Sequence, residues 1–154
     1  MSSNANVSPM DYLNSIIEQP LAYAMKSPDT ELYDFGFGEP VLYPCRNGDL
    51  RQVAMYSLHA LCRFKLIDKT GTNTATKFYE DTPSDQFQRT IAPVLGKCAK
   101  RIALSEKNDL WIDFGEYWIV FATFENEEES WRFFSADRRM PHLVASNIAL
   151  ELVY

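Results

Sequence analysis

Between residues 56 and 66 the side chains alternate. Tyr56, Leu58, Ala60, Cys62, Phe64 and Leu66 are apolar, and Ser57, His59, Arg63 and Lys65 stand between them. Successive side chains of an extended chain point to opposite sides, so a period of two marks one buried and one open sheet face. The pattern predicts a long strand over Leu50–Ile67 and commits the chain to a sheet with one shielded face. Leu61 interrupts the polar row and implies that part of that face is covered as well.

Two other segments carry helix-start chemistry. Ser8-Pro9-Met10-Asp11 and Thr82-Pro83-Ser84-Asp85 each offer a hydroxyl cap, a proline at the first helical position and a carboxylate at the third. Leu13, Ile16, Ile17, Leu21, Ala24 and Met25 recur at helical spacing, which predicts a helix from Pro9 to about Lys26, kinked or divided at Pro20. Phe87, Ile91 and Leu95 predict a second helix from Pro83 to about Leu95, stopped by Gly96.

The remaining segments read as strands and turns. Glu31–Phe37 is a short strand near which Gly36 and Gly38 suggest a bulge or a bend, and Asn47-Gly48 is a turn in the loop after it. A Thr- and Gly-rich turn at 69–75 precedes a returning strand at Thr76–Tyr79. The last third reads as a meander: Arg101–Leu104, Asp109–Phe114, a Gly115-Glu116 turn, Tyr117–Phe124, an acidic turn at 125–129 and Trp131–Phe134. The apolar run Tyr117–Phe124 suits a strand covered on both faces. Leu143–Val153 is compatible with strand or helix.

The fold expected is α+β: a largely antiparallel sheet of about five to seven strands with a C-terminal meander, and two helices packed mainly on one face. Residues 1–7 read as a flexible N-terminus and 8–154 as a single domain. The expected core is Leu13, Ile17, Phe35, Leu58, Cys62, Phe64, Ile91, Ile112, Trp118, Val120 and Phe133.

Charge and cysteine usage narrow the function classes. The net charge of −6, and the lack of an interleaved basic and aromatic stripe, argue against a nucleic-acid partner. The basic runs Lys97, Lys100, Arg101 and Arg138-Arg139 read as solvated charges. Cys45, Cys62 and Cys98 are odd in number and widely spaced, and no signal-peptide pattern is read at residues 1–7, so a reducing cytoplasm is expected. The longest apolar stretch, Tyr117–Phe124, is too short to span a bilayer, so no membrane partner is expected. The two histidines, His59 and His142, lack metal-ligand spacing, and neither a metal nor another cofactor is expected.

Three features remain as candidates for chemistry. Asp34-Phe35-Gly36 and Asp113-Phe114-Gly115 repeat the metal-binding tripeptide of kinases, but without a phosphate loop or catalytic loop they read as turns. His59, Arg63 and Lys65, with Asp113, Trp131 and Arg132, would form a small charged patch ringed by aromatics, suited to an anion or a partner carboxylate, if the meander pairs beside the long strand. Glu127, Glu128 and Glu129 form the main charge cluster, suited to attracting a basic protein.

Ser57-Leu58-His59-Ala60-Leu61-Cys62-Arg63-Phe64-Lys65, Glu129-Ser130-Trp131-Arg132-Phe133-Phe134 and Pro141-His142-Leu143-Val144 resemble a group of small uncharacterised bacterial proteins. The shared segments are an LHxxCx(W/F)(R/K) strand, an ExWRF strand and a terminal HLV. This chain departs with Ala60-Leu61 in place of Val-Gln and Phe64-Lys65 in place of Trp-Arg. The resemblance implies a bacterial protein, and some members look like the immunity-type proteins found beside toxins.

No biochemical activity follows from the residues alone. The favoured reading is a non-enzymatic protein-binding module, immunity-type or regulatory, with a basic protein partner; the aromatic content of 14% is equally compatible with self-association. The alternative is a small hydrolase or transferase, or a binder of an anion or small molecule, using His59, Arg63, Asp113 and Arg132.

Overall fold

A computed structural model describes residues 7–28, 30–70 and 75–154. The expected flexible N-terminus lies outside these residues apart from Val7, and so does most of the turn expected at 69–75. The chain is mostly antiparallel sheet with two short α-helices, α1 (Pro9–Leu13) and α2 (Ser84–Ile91). The strands are β1 (Leu21–Lys26), β2 (Tyr33–Phe37), β3 (Val41–Pro44), β4 (Leu50–Val53), β5 (Tyr56–Ala60), β6 (Phe64–Asp68) and β7 (Ala75–Phe78), followed by β8 (Arg101–Leu104), β9 (Leu110–Asp113), β10 (Tyr117–Phe121), β11 (Trp131–Ser135), β12 (His142–Ala145) and β13 (Leu150–Val153).

The expected single sheet is replaced by a six-stranded sheet ordered β1-β2-β5-β11-β12-β13, a five-stranded sheet ordered β7-β6-β10-β9-β8, and a separate β3-β4 hairpin. The long strand expected over Leu50–Ile67 is divided among all three. Its alternation still holds: Leu58 and Ala60 face the interior from the six-stranded sheet, Phe64 and Leu66 from the five-stranded one, and Cys62 is buried between them. The chain turns a corner at 61–63, so the inward residues change sheets without changing sides. Leu61, at that corner, is exposed.

The two sheets meet through aromatic rings. Phe35 of β2 packs edge-on against Phe64 of β6 and Phe121 of β10, at 5.4 and 5.2 Å between ring centres. Tyr33, Phe78 and Phe87 complete the cluster. Of the expected core, Ile17 and Trp118 are only half-buried, whereas the other nine residues are buried. Trp118 lies on the outer side of its sheet, because β10 alternates and Ile119 and Phe121 take the inward positions.

Both helices are shorter than their periodicity implies. Ser8 Oγ accepts the Asp11 N–H at 3.1 Å and starts α1, but a 3₁₀ turn over Asn14–Ile16 ends it. Glu18 then takes a left-handed φ of 67°, which no helix continues. Leu21–Lys26 follows as a strand paired to β2, although Leu, Ala, Met and Lys favour helix. The cross-strand pairs outweigh that preference, and Gln88 of α2 donates to the Ala24 carbonyl at 2.8 Å. At the second site Thr82 does not cap: its hydroxyl accepts from Tyr79 N, Pro83 is the N-cap, and α2 stops at Ile91 before a 3₁₀ turn over Ala92–Val94.

The expected meander is split between sheets, because β11 pairs with β5 and β12 and not with β10. Tyr117–Phe124 is strand only to Phe121. Residues 143–153, left open by their period, belong to strands β12 and β13 joined by a turn in which Ser146 N donates to Ala149 O.

The irregularity near Gly36 sits on the partner strand, where the pairing register shifts between Leu21 and Tyr23. The Tyr23 ring lies against Gly36, so a Cβ there would fall 2.1 Å from Tyr23 Cε2. Gly36→Ala is therefore expected to displace the ring from its hydrogen bond to Asp34 and cost about 1–3 kcal/mol, read by urea unfolding. An unchanged midpoint would contradict this packing.

Candidate functional site

Pairing β11 against β5 sets Arg132 opposite His59 and Phe134 opposite Ser57, all on the outer face of the six-stranded sheet. Asp34 lies opposite His59 on the other side, and His142 projects from the same face. This face forms the floor of a cleft of about 800 Å³, lined by Tyr23, Asp34, Ser57, His59, Phe134 and His142. The β3-β4 hairpin forms one wall, through Tyr43 and Arg51, and Asp137, Arg138 and Met140 form part of another. Arg138 ties them together: it donates to the Tyr43 hydroxyl and to Pro44 O, with its guanidinium 4.5 Å from the Tyr43 ring centre.

The floor is polar but interlocked. His59 Nε2 lies 3.4 Å from Asp34 Oδ1, and Tyr23 donates to Asp34 Oδ2 at 3.2 Å. Burial, aided by the Asp34 carboxylate, pushes the Tyr23 hydroxyl up to about 12, so it stays a donor. Asp34 Oδ1 is buried and accepts no hydrogen bond among the described residues; the His59 ring is the polar group that lies beside it. Phe134 meets His59 edge-on at 4.8 Å and stacks on His142 at 4.6 Å.

Arg132 is the hub of the adjacent row. It donates twice to Glu129, at 2.8 and 3.2 Å, and its Nη1 lies 3.0 Å from His142 Nδ1. A guanidinium has no acceptor, so Nδ1 of His142 accepts and the ring proton resides on Nε2. Burial and the positive charge of Arg132, with His59 adding to them, hold the His142 imidazole below the ordinary 6.5, and Glu129 only partly opposes this. A ring whose folded pKa is lowered contributes stability that is complete above about pH 6.5 and lost as pH falls through the folded value. His142 is expected to titrate below 6.5 by proton NMR, and His142→Gln to flatten the acid side of the stability profile. A titration above 6.5 would contradict the Arg132 contact.

The other expected site residues lie elsewhere. Trp131 faces the interior with no exposed surface, and its Nε1 donates to Asn108 O at 2.9 Å. It is a core residue, not a surface anchor, because β11 alternates and Arg132 takes the outward position. Arg63 lies at the corner between the sheets, pairs with Glu80 at 3.3 Å and covers the Tyr79 ring. Asp113 belongs to the five-stranded sheet, where Lys69 at 2.6 Å and Arg101 at 3.6 Å pair with it. Burial alone would raise its pKa, but the Lys69 and Gly115 hydrogen bonds and both cations bring it below the usual range. His59, Arg63, Asp113 and Arg132 therefore do not form one constellation. Glu127 and Glu128 are exposed at the turn before β11, and Glu129 is engaged by Arg132.

Tyr23, Asp34, Ser57, Phe134 and His142 were not grouped from the sequence because they come from β1, β2, β5, β11 and β12. The usable signal was the alternation itself: Asp34 with Gly36, Ser57 with His59, and Arg132 with Phe134 each mark the outward side of a strand. Cys62 is buried, which pushes its thiol up to about 12 and makes it a core group rather than a nucleophile. No group of metal-ligating side chains occurs among the described residues, and no helix of the described chain is long and apolar enough to cross a membrane. No family model matches the chain, nor does any curated protein or solved structure.

Proposed function

We propose that the chain is a non-enzymatic protein-binding module that receives a basic partner on the outer face of the six-stranded sheet. The observation that carries this reading is the β3-β4 hairpin. It belongs to neither main sheet, and it holds Leu42 and Leu50 outward at 63% and 61% exposure. Large apolar side chains fixed in solvent on a projecting arm mark an interaction surface. Glu127 and Glu128, exposed at the turn before β11, supply the negative charge beyond Arg132 that would attract a basic partner.

An immunity-type or regulatory role in a bacterial cytoplasm is the biological form of this reading, with a basic toxin-like domain as partner. Opposite charge would then raise the association rate, and the arm would supply the apolar contact. The cleft volume also suits a small ligand, a second reading that competes for the same floor residues.

The test is capture from the source cell, followed by affinity measurement with the purified partner. Leu42→Asp with Leu50→Asp is expected to weaken binding at least tenfold while leaving the unfolding midpoint nearly unchanged, since both side chains are exposed. Glu127→Lys with Glu128→Lys should mainly slow association and reduce its salt dependence. Glu129 is left in place because its reversal would also release Arg132. Retention of full affinity by the arm variant would sink the proposal.

A further inference from the structure

We infer that the outer face of the five-stranded sheet is a platform for single-stranded nucleic acid. Its centre holds Trp111 and Trp118, both half-buried and packed edge to face at 5.6 Å. Lys65, Lys77 and Arg101 stand in the same two rows, opposed by Asp113, and Lys69 follows β6 beside the exposed Glu116, whose carbonyl accepts from Lys69 N. One cross-strand row runs Lys77, Lys65, Val120, Trp111, Ala103, and the next runs Ala75, Ile67, Trp118, Asp113, Arg101. Lys65, Lys69, Lys77 and Arg101 against Asp113 and Glu116 leave a net positive island on a chain of net charge −6. The interleaved basic and aromatic stripe missing from the linear sequence is assembled here across the strands.

The two rings stand edge to face, 85° apart, and the Trp118 ring is held by cations. Lys69 Nζ lies 4.5 Å and the Arg101 guanidinium 5.2 Å from the Trp118 ring centre, and both cations also reach Asp113. Trp118 is thus fixed in place beneath its cations and braces Trp111, which carries no cation contact among the described residues and is the ring left to stack on a base. Trp111 has the small Ala103 as its cross-strand neighbour on the β8 side and Val120 on the other. Lys65 and Lys77 have no carboxylate partner among the described residues, so they can meet phosphates without breaking an ion pair. Bases stacked on aromatic side chains, with the backbone tracked by cations, is the composition of sequence-tolerant single-strand sites.

The dimensions favour a short strand over a folded partner. Five strands span about 19 Å, and two rows of side chains offer a few hundred Å². A stable protein interface needs about 800 Å² from each partner, and a second copy would bring four like charges against these four. A few nucleotides fit within that span.

The experiment titrates the full chain with twelve-residue oligo-dT and oligo-rU at low salt, following tryptophan fluorescence and the anisotropy of a labelled oligonucleotide. Saturable quenching is expected with Kd below about 100 µM, and a slope of log affinity against log salt between about −1 and −3. Lys65→Glu with Lys77→Glu, and separately Trp111→Ala, should each weaken binding at least tenfold, whereas Leu42→Asp should not. Circular dichroism of each variant excludes loss of fold as the cause. Absence of saturable binding, full affinity in the charge-reversed variant, or equal binding to poly-glutamate or phosphatidylserine vesicles overturns the inference.

Discussion

Replacing Phe64 with alanine is expected to lower the unfolding free energy by about 3–5 kcal/mol, the usual range for removing a buried aromatic ring from a core. Phe64 is 3% exposed and packs with Tyr33 at 4.7 Å, Phe78 at 4.8 Å, Phe35 and Phe121 at 5.4 Å, and Phe87 at 5.9 Å. Those rings come from β2, β7, β10 and α2, so one side chain joins both sheets and the second helix. The loss has two sources: apolar area is no longer withheld from water, and the surrounding rings cannot all close on the space left. Edge-to-face contacts add about 0.5–1.5 kcal/mol per pair beyond area, which places this ring toward the upper end. Urea unfolding gives the measurement. Phe64→Leu should lose less, and a loss below about 1 kcal/mol for the alanine variant would mean that the sheets do not meet there.

Trp131→Ala is expected to destabilise by a similar amount, about 3–5 kcal/mol, and for a second reason as well as lost packing. Its indole N–H donates to the carbonyl of Asn108, a residue with a left-handed φ of 68°. The Asn108 side-chain amide in turn donates to Ser146 O at 2.9 Å and Ala149 O at 3.2 Å. Asn108 therefore connects the turn between β8 and β9 to the turn between β12 and β13, and Trp131 holds it in place. Trp131→Phe keeps much of the apolar volume but removes the donor, and should fall between wild type and the alanine variant. Equal stability of the wild type and the alanine variant would return Trp131 to the role of a surface anchor.

The faces of the strands were legible in the sequence to a large extent. Leu58, Phe64, Ile112 and Phe133 were expected inside and are inside, because alternation reports which side of a strand is shielded. The turns at Asn47-Gly48 and Gly115-Glu116 were legible too: Gly48 and Gly115 take φ values of 89° and 96°, open to glycine at little cost. The first helix was over-extended because Leu21, Ala24 and Met25 satisfy a helical period by coincidence, while pairing to β2 decides their conformation.

The candidate site was legible only in fragments. The alternation marks His59 and Arg132 as outward residues, and antiparallel pairing of β5 with β11 sets them side by side. Arg63 and Asp113 share that alternation but lie away from the site, because the strands divide between two sheets.

The sequence by itself determined the local terms of this protein: the alternation of its strands, the cap at Ser8, the glycine turns and a buried Cys62. These depend on a residue and its near neighbours along the chain. Tertiary structure alone decided which strands pair, that residues 61–63 carry the chain from one sheet to the other, and that Trp131 faces inward while Trp111 and Trp118 face out among lysines. Period two says that a strand has an inside, but it is the same for every strand and carries no address. The address comes from fitting rings such as Phe35, Phe64 and Phe121 into one interior, a condition that residues distant along the chain must meet together.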